Sequence, residues 1–141
     1  GSPTSQKAAL KAIEVAKKFN SEIIFMTAAR RPEIIGTGSS GYGGVYNLDA
    51  LTEELKNHQT RILDHFISEL DLTGINTQKS VVVGTPSEEI VDMAKEVNAD
   101  LIVIGRRGYS RIKRFFVGSV SQRVISEAPC PVLVINDDQA E

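Results

Sequence analysis

Apolar positions along the chain follow two spacings, one typical of amphipathic helices and one typical of buried strands. Small or apolar residues recur every three or four positions in four segments, and short runs of consecutive apolar residues separate these segments. The pattern predicts helices over 5–19, 49–70, 86–97 and 119–128, and strands over 23–26, 80–83, 101–104 and 132–135. Strands without polar alternation are buried on both faces, so the order predicts an α/β fold with helices on both faces of an open parallel sheet.

Each predicted helix has one face that should point inward. For the second helix this face holds Leu51, Leu55, Ile62, Phe66 and Leu70, and for the third it holds Ile90, Val91, Ala94 and Val97. The third helix also has a start signal, because Thr85, Pro86 and Glu88 have the spacing of a capping box.

Composition narrows the class of protein. The 141 residues suit one domain, 1–141, and 41% hydrophobic with 24% charged residues is ordinary globular usage. A net charge of -2 offers no global attraction to nucleic acid or to an anionic membrane surface. The longest apolar runs are far shorter than the roughly twenty residues that a membrane helix needs.

The cysteine and histidine residues give little evidence of chemistry. The single cysteine, Cys130, lies between two prolines before the last strand, which favours a small buried hydrophobe over a reactive thiol. One cysteine forms no internal disulfide, so a reducing cytoplasm is the expected location. His58 and His65 are seven positions apart on the second helix, and two histidines alone make a poor metal site.

Two glycine-rich segments compete as phosphate sites. The segment from Gly36 to Gly41 has the letters of a dinucleotide fingerprint but lies inside a predicted loop over about 30–47, away from any strand end. The segment from Gly105 to Ser121 has the right context, because Gly105 follows a buried strand and Gly118 directly precedes a helix. Free amides at a helix start, with hydroxyls from Ser119 and Ser121, could donate to phosphate oxygens.

The Gly105–Ser121 segment is also strongly basic. Its cations are Arg106, Arg107, Arg111, Lys113 and Arg114, and no acidic residue stands among them. No Walker A sequence occurs in the chain, so an ordinary P-loop NTPase is excluded, and no residue is an evident base for activating water. The segment therefore predicts an anion site, and any hydrolysis should be slow.

The spacing from Gly105 through Gly108 to Gly118 and Ser119 resembles the G-x2-G-x9-G-[ST] signature of the universal stress protein family. Supporting similarities are Val83-Gly84-x-Pro86 and the stretch from Ala128 to Val132, and the resemblance covers nearly the whole chain outside the variable loop. It implies a five-stranded, Rossmann-like fold of the adenine nucleotide alpha hydrolase type. It also implies the ATP-binding subclass of the family, acting in regulation of a stress response.

The resemblance further implies particular contacts and partners. ATP, or AMP or ADP, would be the ligand, with Mg²⁺ or Mn²⁺ as candidate metals, and a homodimer would form through the last strand, 132–135. The acidic tail over 137–141 carries no implied role. The residues that would hold the nucleotide are Ala28 against the adenine and Gly105, Arg106, Arg107, Gly108, Gly118, Ser119, Val120 and Ser121 around the ribose and phosphates.

The sequence departs from the family pattern at its amino end. The family has a hydrophobic first strand ending in an aspartate just before the segment that here begins at Gly1 and Ser2, and neither is present. That strand is central in the family, so we expect the second and fourth family strands to lack a partner between them. Two other functions stay open: a slow ATPase or phosphoryl-transfer enzyme, and a nucleotide-free interaction module whose Arg106–Arg114 run docks an acidic partner.

Overall fold

A computed structural model of the chain describes residues 2–32, 48–106 and 118–136. These ranges contain all eight predicted elements in the predicted order, so the α/β class is confirmed. The variable segment over 33–47, the segment 107–117 and the tail 137–141 lie outside the described residues. The elements are α1 (Pro3–Phe19), β1 (Ile23–Ala29), α2 (Leu48–Ser68), β2 (Thr77–Val83), α3 (Pro86–Glu96), β3 (Ile102–Gly105), α4 (Ser119–Glu127) and β4 (Val132–Ile135).

Helix α1 has defined caps at both ends. The Ser2 hydroxyl oxygen accepts a hydrogen bond from the Ser5 amide at 3.2 Å, and Pro3 occupies the first helical position, where no amide hydrogen is needed. Asn20 ends the helix in the left-handed conformation with φ of 53°. These caps fix where α1 starts and where the chain turns into β1.

The start of α3 agrees only in part with the predicted capping box. Thr85 is the N-cap and Pro86 the first helical residue, but the Thr85 side chain makes no capping hydrogen bond. Glu88 and Glu89 lie in the first turn, where their negative charges interact favourably with the positive end of the helix dipole. Electrostatic stabilisation by these two residues takes the place of the predicted hydroxyl bond.

The core between α1, α2 and β1 is centred on Ala9, Phe25 and Leu63. The predicted inner stripe of α2 is confirmed only in part, because Phe66 and Leu70 pack against this core, whereas Leu51 and Ile62 are exposed and Leu63 is buried instead. Helix α2 turns the face that holds Leu63 toward the strands. Phe66, Ile67 and Leu70 lie on the same face, one to two turns further along the chain. Partly buried residues around this core are Ile23, Phe66, Ile67, Leu70, Leu72 and Val81.

Predicted inner positions of α3 are also partly exposed. Val91 and Ala94 are buried as expected, whereas Val97 is 41% exposed. In α4, Val124 is buried and Ile125 is 48% exposed. Val97 caps the carboxyl end of α3, past the last helical turn, so it leaves the packed face.

The four strands form two separate two-stranded sheets. β1 pairs with β2 in parallel, with Ile23 opposite Thr77 and Ala29 opposite Val83. β3 pairs with β4 in parallel, with Ile102 opposite Val132. The described residues thus contain four strands of the expected five, and no described strand joins β1 to β3.

Helices cover both faces of the strands. Phe25 and Ile23 point toward α1 and α2, so alternation along the strand turns Ile24 and Met26 toward the opposite face, on which α3 packs. Helices α3 and α4 pack against each other, and Arg123 lies 3.8 Å from Glu88 across their contact. The carboxyl ends of the strands therefore open toward the starts of the helices, where open α/β sheets bind ligands.

Candidate functional site

Two hydrogen bonds join the end of β3 to the start of α4. The Ser121 hydroxyl donates to the Gly105 carbonyl oxygen at 2.8 Å, and the Gly118 amide donates to the Arg106 carbonyl oxygen at 2.9 Å. The Arg106 amide in turn donates to the carbonyl oxygen of Ile135 at 2.8 Å. The first two bonds thereby hold residues twelve and sixteen positions apart in sequence together at the carboxyl edge of the β3–β4 sheet.

The first turn of α4 presents free amides at this edge. Gly118 is the N-cap, and its carbonyl accepts the first helical hydrogen bond, from the Gln122 amide at 2.9 Å. No side chain caps this helix. Among the described residues, the amides of Ser119, Val120 and Ser121 have no hydrogen-bond acceptor, as expected for the first turn of a helix without a side-chain cap.

The electrostatics at the start of α4 differ from those at the start of α3. α3 has Glu88 and Glu89 in its first turn, whereas the first turn of α4 contains no acidic residue. The positive end of the α4 dipole is therefore not neutralised by its own side chains. An anion placed there would interact with both the dipole and the three free amides.

Gly105 has a packing reason to be glycine that sequence reasoning missed. A Cβ atom at Gly105 would lie 2.9 Å from the Thr4 side-chain oxygen and 3.1 Å from the Thr4 Cβ. Thr4 is buried in the first turn of α1, so that turn packs directly on the end of β3. The only sequence signal was a threonine, Thr4, two positions after the N-cap Ser2. That signal does not predict the contact, because the packing partner of Thr4 is distant in sequence.

The structure brings together only some of the predicted site residues. Gly105, Arg106 and the segment from Gly118 to Ser121 form one group, as described above. Ala28 lies near the carboxyl end of β1 and is half-buried, in a different sheet from Gly105. Arg107 and Gly108, with the other cations of the basic run, lie outside the described residues.

Two predicted hydroxyl and amide donors are already engaged. The Ser121 hydroxyl is buried and uses its proton on Gly105, and the Gly118 amide uses its proton on Arg106. These groups stabilise the shape of the site. Among the described residues of this group, the donors that remain for a ligand include the amides of the first α4 turn and the exposed side chain of Ser119.

The other candidate groups form no second site. Burial, with a smaller effect from the Asp100 carboxylate, raises the pKa of the Cys130 thiol, so the thiolate is disfavoured as the sequence suggested. His65 lies 3.4 Å from Glu69 on the exposed face of α2. Across residues 2–32, 48–106 and 118–136, no three His, Cys, Asp or Glu side chains gather as metal ligands.

The sequence comparisons identify the family. The family model of the universal stress protein family matches residues 1–136. The chain therefore belongs to the universal stress protein family. A curated relative, universal stress protein MJ0531 of Methanocaldococcus jannaschii, is 32% identical over 141 residues, which cover all of this chain and 80% of that protein.

Solved structures agree with this assignment. MJ0577 of the same archaeon has a TM-score of 0.72 at 26% identity, over 94% of this chain and 90% of that one. A universal stress protein solved in complex with cAMP has a TM-score of 0.67 at 28% identity, over 96% of this chain and 90% of that one. Within the described part of the chain, no helix is both long and apolar enough to cross a membrane.

Proposed function

We propose that the chain is a regulatory stress-response module that binds an adenine nucleotide, with ATP as the preferred ligand, at the carboxyl edge of β3 and the start of α4. The observation that carries this proposal is the set of three amides, Ser119 to Ser121, that have no acceptor among the described residues and lie beside the end of β3. A helix N-terminus with free amides and no acidic side chain is suited to a phosphate group.

The hydrogen bonds of the site assign different roles to its residues. The amides of Ser119, Val120 and Ser121 would donate to the phosphates, and the exposed Ser119 hydroxyl would add a further donor. Ser121, through its buried hydroxyl, and Gly118, through its amide, would hold the first α4 turn against β3. In this proposal Gly105, Arg106, Arg107 and Gly108 form the rest of the phosphate loop, and Ala28 contacts the adenine.

The structural comparison supports the class of ligand. A neighbour at 28% identity was solved with cAMP, which combines an adenine ring with a phosphate group. The G-x2-G-x9-G-[ST] spacing is intact in this chain, from Gly105 to Ser119. The proposal extends the ligand class to ATP because the basic run from Arg106 to Arg114 would favour a longer, more negative phosphate chain.

The test is calorimetric titration of the chain with ATP, with Gly118→Asp as the decisive variant. An aspartate at the N-cap would accept hydrogen bonds from the free α4 amides and place a negative charge where the phosphate should lie. We expect ATP affinity to fall about tenfold or more, because charge-assisted hydrogen bonds contribute about 1.5–3 kcal/mol. The same variant should raise the thermal midpoint by only about 1–2 °C, because aspartate improves on glycine at an N-cap by about a few tenths of a kcal/mol.

Thr85→Asp is the matched control, since Thr85 is the N-cap of α3 and also makes no side-chain capping bond. It should leave ATP affinity unchanged. A chain that binds no ATP, or a Gly118→Asp variant that binds ATP as tightly as the parent, would contradict the proposal. Steady phosphate release from bound ATP would instead favour the slow ATPase.

Homodimerisation through β4 is part of the same proposal. Among the described strands, β4 has one neighbour, β3. No described strand pairs with its other edge, which would pair with a second copy of the chain. Every residue from Val132 to Ile135 is apolar, which suits burial in an interface. Light scattering after size exclusion should give a mass of two chains, and Val134→Pro should give one, because Val134 places its amide on the free edge of this ladder. A cytoplasmic location and a Mg²⁺ or Mn²⁺ ion bound with the nucleotide complete the proposal.

A further inference from the structure

Apolar residues lie on two sides of α2, and the fold buries only one of these sides. Leu63 is buried against the strands, whereas Ile62 is 38% exposed and Leu51 is exposed as well. Leu51 and Ile62 are about three helical turns apart, so they lie on the same side of α2. On α1, Leu10 is 59% exposed. Exposed apolar residues on neighbouring helices are typical of an interaction surface.

Ile62 lies in a groove between the two helices. A cavity of about 400 Å³ is lined by Gln6 of α1 and by six residues of α2. The α2 residues are His58, Arg61, Ile62, His65, Phe66 and Glu69. We call these seven residues the α1–α2 groove. Leu10 lies one turn after Gln6 on the same side of α1, and so extends the groove along that helix.

The middle of the α1–α2 groove is basic. Among the residues that the structure describes, no carboxylate lies within ion-pair distance of Arg61. His58 and His65 lie three positions before and four positions after Arg61, on the same side of the helix. Glu69 lies at one end of the groove, 3.4 Å from His65, and Glu54 lies one turn before His58. An occupant with a carboxylate at the level of Arg61 would supply the missing counter-charge.

The shape of the α1–α2 groove suits a protein segment better than a small anion. Small-molecule pockets bury most of the surface of their ligand. Here the side chains of His65 and Glu69 are more than half exposed, so they do not close over a small ligand. From His58 to Glu69 the groove runs about 16 Å along α2, which is about three turns of a helix. Helices that bind in grooves use apolar side chains spaced along one face in this way.

We propose that the α1–α2 groove binds an acidic, amphipathic helix of a partner protein. The apolar face of that helix would lie on Leu10, Ile62 and Phe66, and one of its carboxylates would pair with Arg61. No residue of the proposed nucleotide site lines the groove. The proposal therefore stands independently of nucleotide binding, and it adds a protein partner on a different surface of the domain.

The test uses a fluorescent synthetic peptide of about fifteen residues. Its leucines are spaced three and four positions apart, and its other residues are mostly glutamate. The control peptide has lysine in place of each glutamate. Fluorescence anisotropy measures the affinity of the chain for each peptide. We expect saturable binding of the acidic peptide and binding of the basic peptide that is weaker by about tenfold or more.

Variants of exposed residues test the two kinds of contact separately. Arg61→Glu should weaken binding of the acidic peptide by about tenfold or more, because it replaces the counter-charge with a like charge. Lys56→Glu is the matched control, since it makes the same change of charge at an exposed residue of α2 outside the groove. It should change the affinity by less than about twofold. Ile62→Thr keeps the branched shape but adds a hydroxyl, and it should weaken binding several-fold.

Amide chemical shifts locate the bound peptide on the chain. We expect changes at Gln6, His58 and Ile62 that saturate with the anisotropy curve, whether or not the chain binds nucleotide. Changes confined to Arg106 and Ser119 would place the peptide at the start of α4 and would overturn the proposal.

Four other results would also overturn the proposal. The first is no binding of the acidic peptide at concentrations up to about 1 mM. The second is equal affinity for the acidic and basic peptides, and the third is an equal loss of affinity in Arg61→Glu and Lys56→Glu. The fourth is a short single-stranded oligonucleotide that binds the groove as tightly as the acidic peptide. The oligonucleotide has the negative charges without the leucines, so this result would assign the groove to nucleic acid.

Discussion

The Ser121 hydroxyl donates to the Gly105 carbonyl oxygen in a partly buried hydrogen bond of 2.8 Å. Gly105 is the last residue of β3 and Ser121 lies in the first turn of α4, sixteen positions later in the chain. The bond therefore fixes where α4 begins relative to the strand end, and so where its free amides lie. The geometry of the proposed phosphate site depends on this contact together with the Gly118–Arg106 hydrogen bond.

Ser121→Ala should lower both stability and nucleotide affinity. Removing the hydroxyl leaves the Gly105 carbonyl oxygen without its hydrogen-bond donor, and an unsatisfied buried acceptor costs about 1–3 kcal/mol. Urea unfolding measures the loss of stability, and titration with ATP measures the loss of affinity. Ser119→Ala is the matched control, because Ser119 is exposed. This variant should bind ATP more weakly, while its free energy of unfolding should change by less than about 0.5 kcal/mol. Equal stability of the two variants would contradict this role of Ser121.

Gly105→Ala and Gly84→Ala should differ in cost although both glycines end a strand. The new Cβ at Gly105 meets Thr4 within the first turn of α1, including its backbone carbonyl carbon at 3.4 Å, and overpacking of this kind costs about 1–3 kcal/mol. At Gly84 the atoms nearest to the new Cβ belong to the side chain of Glu89, whose flexible end can move away. Urea unfolding of the two variants should show the larger loss for Gly105→Ala, and the reverse order would refute the packing argument.

Asp71 should contribute stability that depends on pH. The Thr73 hydroxyl and amide donate to its carboxylate at 2.7 and 3.1 Å, and these bonds lower the pKa of Asp71 in the folded chain. A carboxyl whose folded pKa is lowered stabilises the fold above its unfolded pKa of about 3.9, and that contribution disappears as pH falls through the folded pKa. The parent should therefore have a higher thermal midpoint than Asp71→Asn at neutral pH, and the difference should vanish in acid.

Thr73→Ala checks the cause of the Asp71 effect. The Thr73 hydroxyl makes the largest contribution to the lowered pKa, so its removal should shrink the pH-dependent difference between aspartate and asparagine at position 71. A difference that stays constant across the acid range would show that the charge of Asp71 is not involved.

Phosphate-chain length should set nucleotide affinity. The proposed contacts are amides and cations around phosphates, so affinity should fall in the order ATP, AMP, adenosine, and it should weaken as salt is added. Competition titrations at two salt concentrations measure both effects. Adenosine binding as tightly as ATP would move the main contacts to the base and away from α4.

Sequence patterns predicted the elements of this fold better than they predicted its packing. The runs of apolar residues located every strand, and β4 matched at both ends, because a strand buried on both faces has a distinctive composition. The buried face of α2 was predicted only in part: Phe66 and Leu70 pack on the core as expected, but Leu63 is buried in place of Ile62. Leu63 and Ile62 are adjacent, similar residues, and only the neighbouring strands decide which one points inward.

The candidate site shows the same limit. Glycine spacing and helix-start signals located Gly105 and the segment from Gly118 to Ser121, which the structure brings together. The hydrogen-bond partners of the individual amides and hydroxyls could not be predicted from the sequence. The Ser121–Gly105 and Gly118–Arg106 bonds depend on where α4 lies relative to the end of β3, which local sequence does not encode. The contact between Thr4 and Gly105 likewise joins residues a hundred positions apart, and no local pattern encodes it.

The most direct measurement is the response of individual backbone amides to nucleotide, by nitrogen–proton correlation NMR during titration with ATP. The account predicts saturable changes at Ser119, Val120 and Ser121 that follow a single binding curve, with small changes at the carboxyl end of α2 near Ser68, which leads to the amino end of β2. Saturable ATP binding that leaves the three α4 amides unchanged would contradict it.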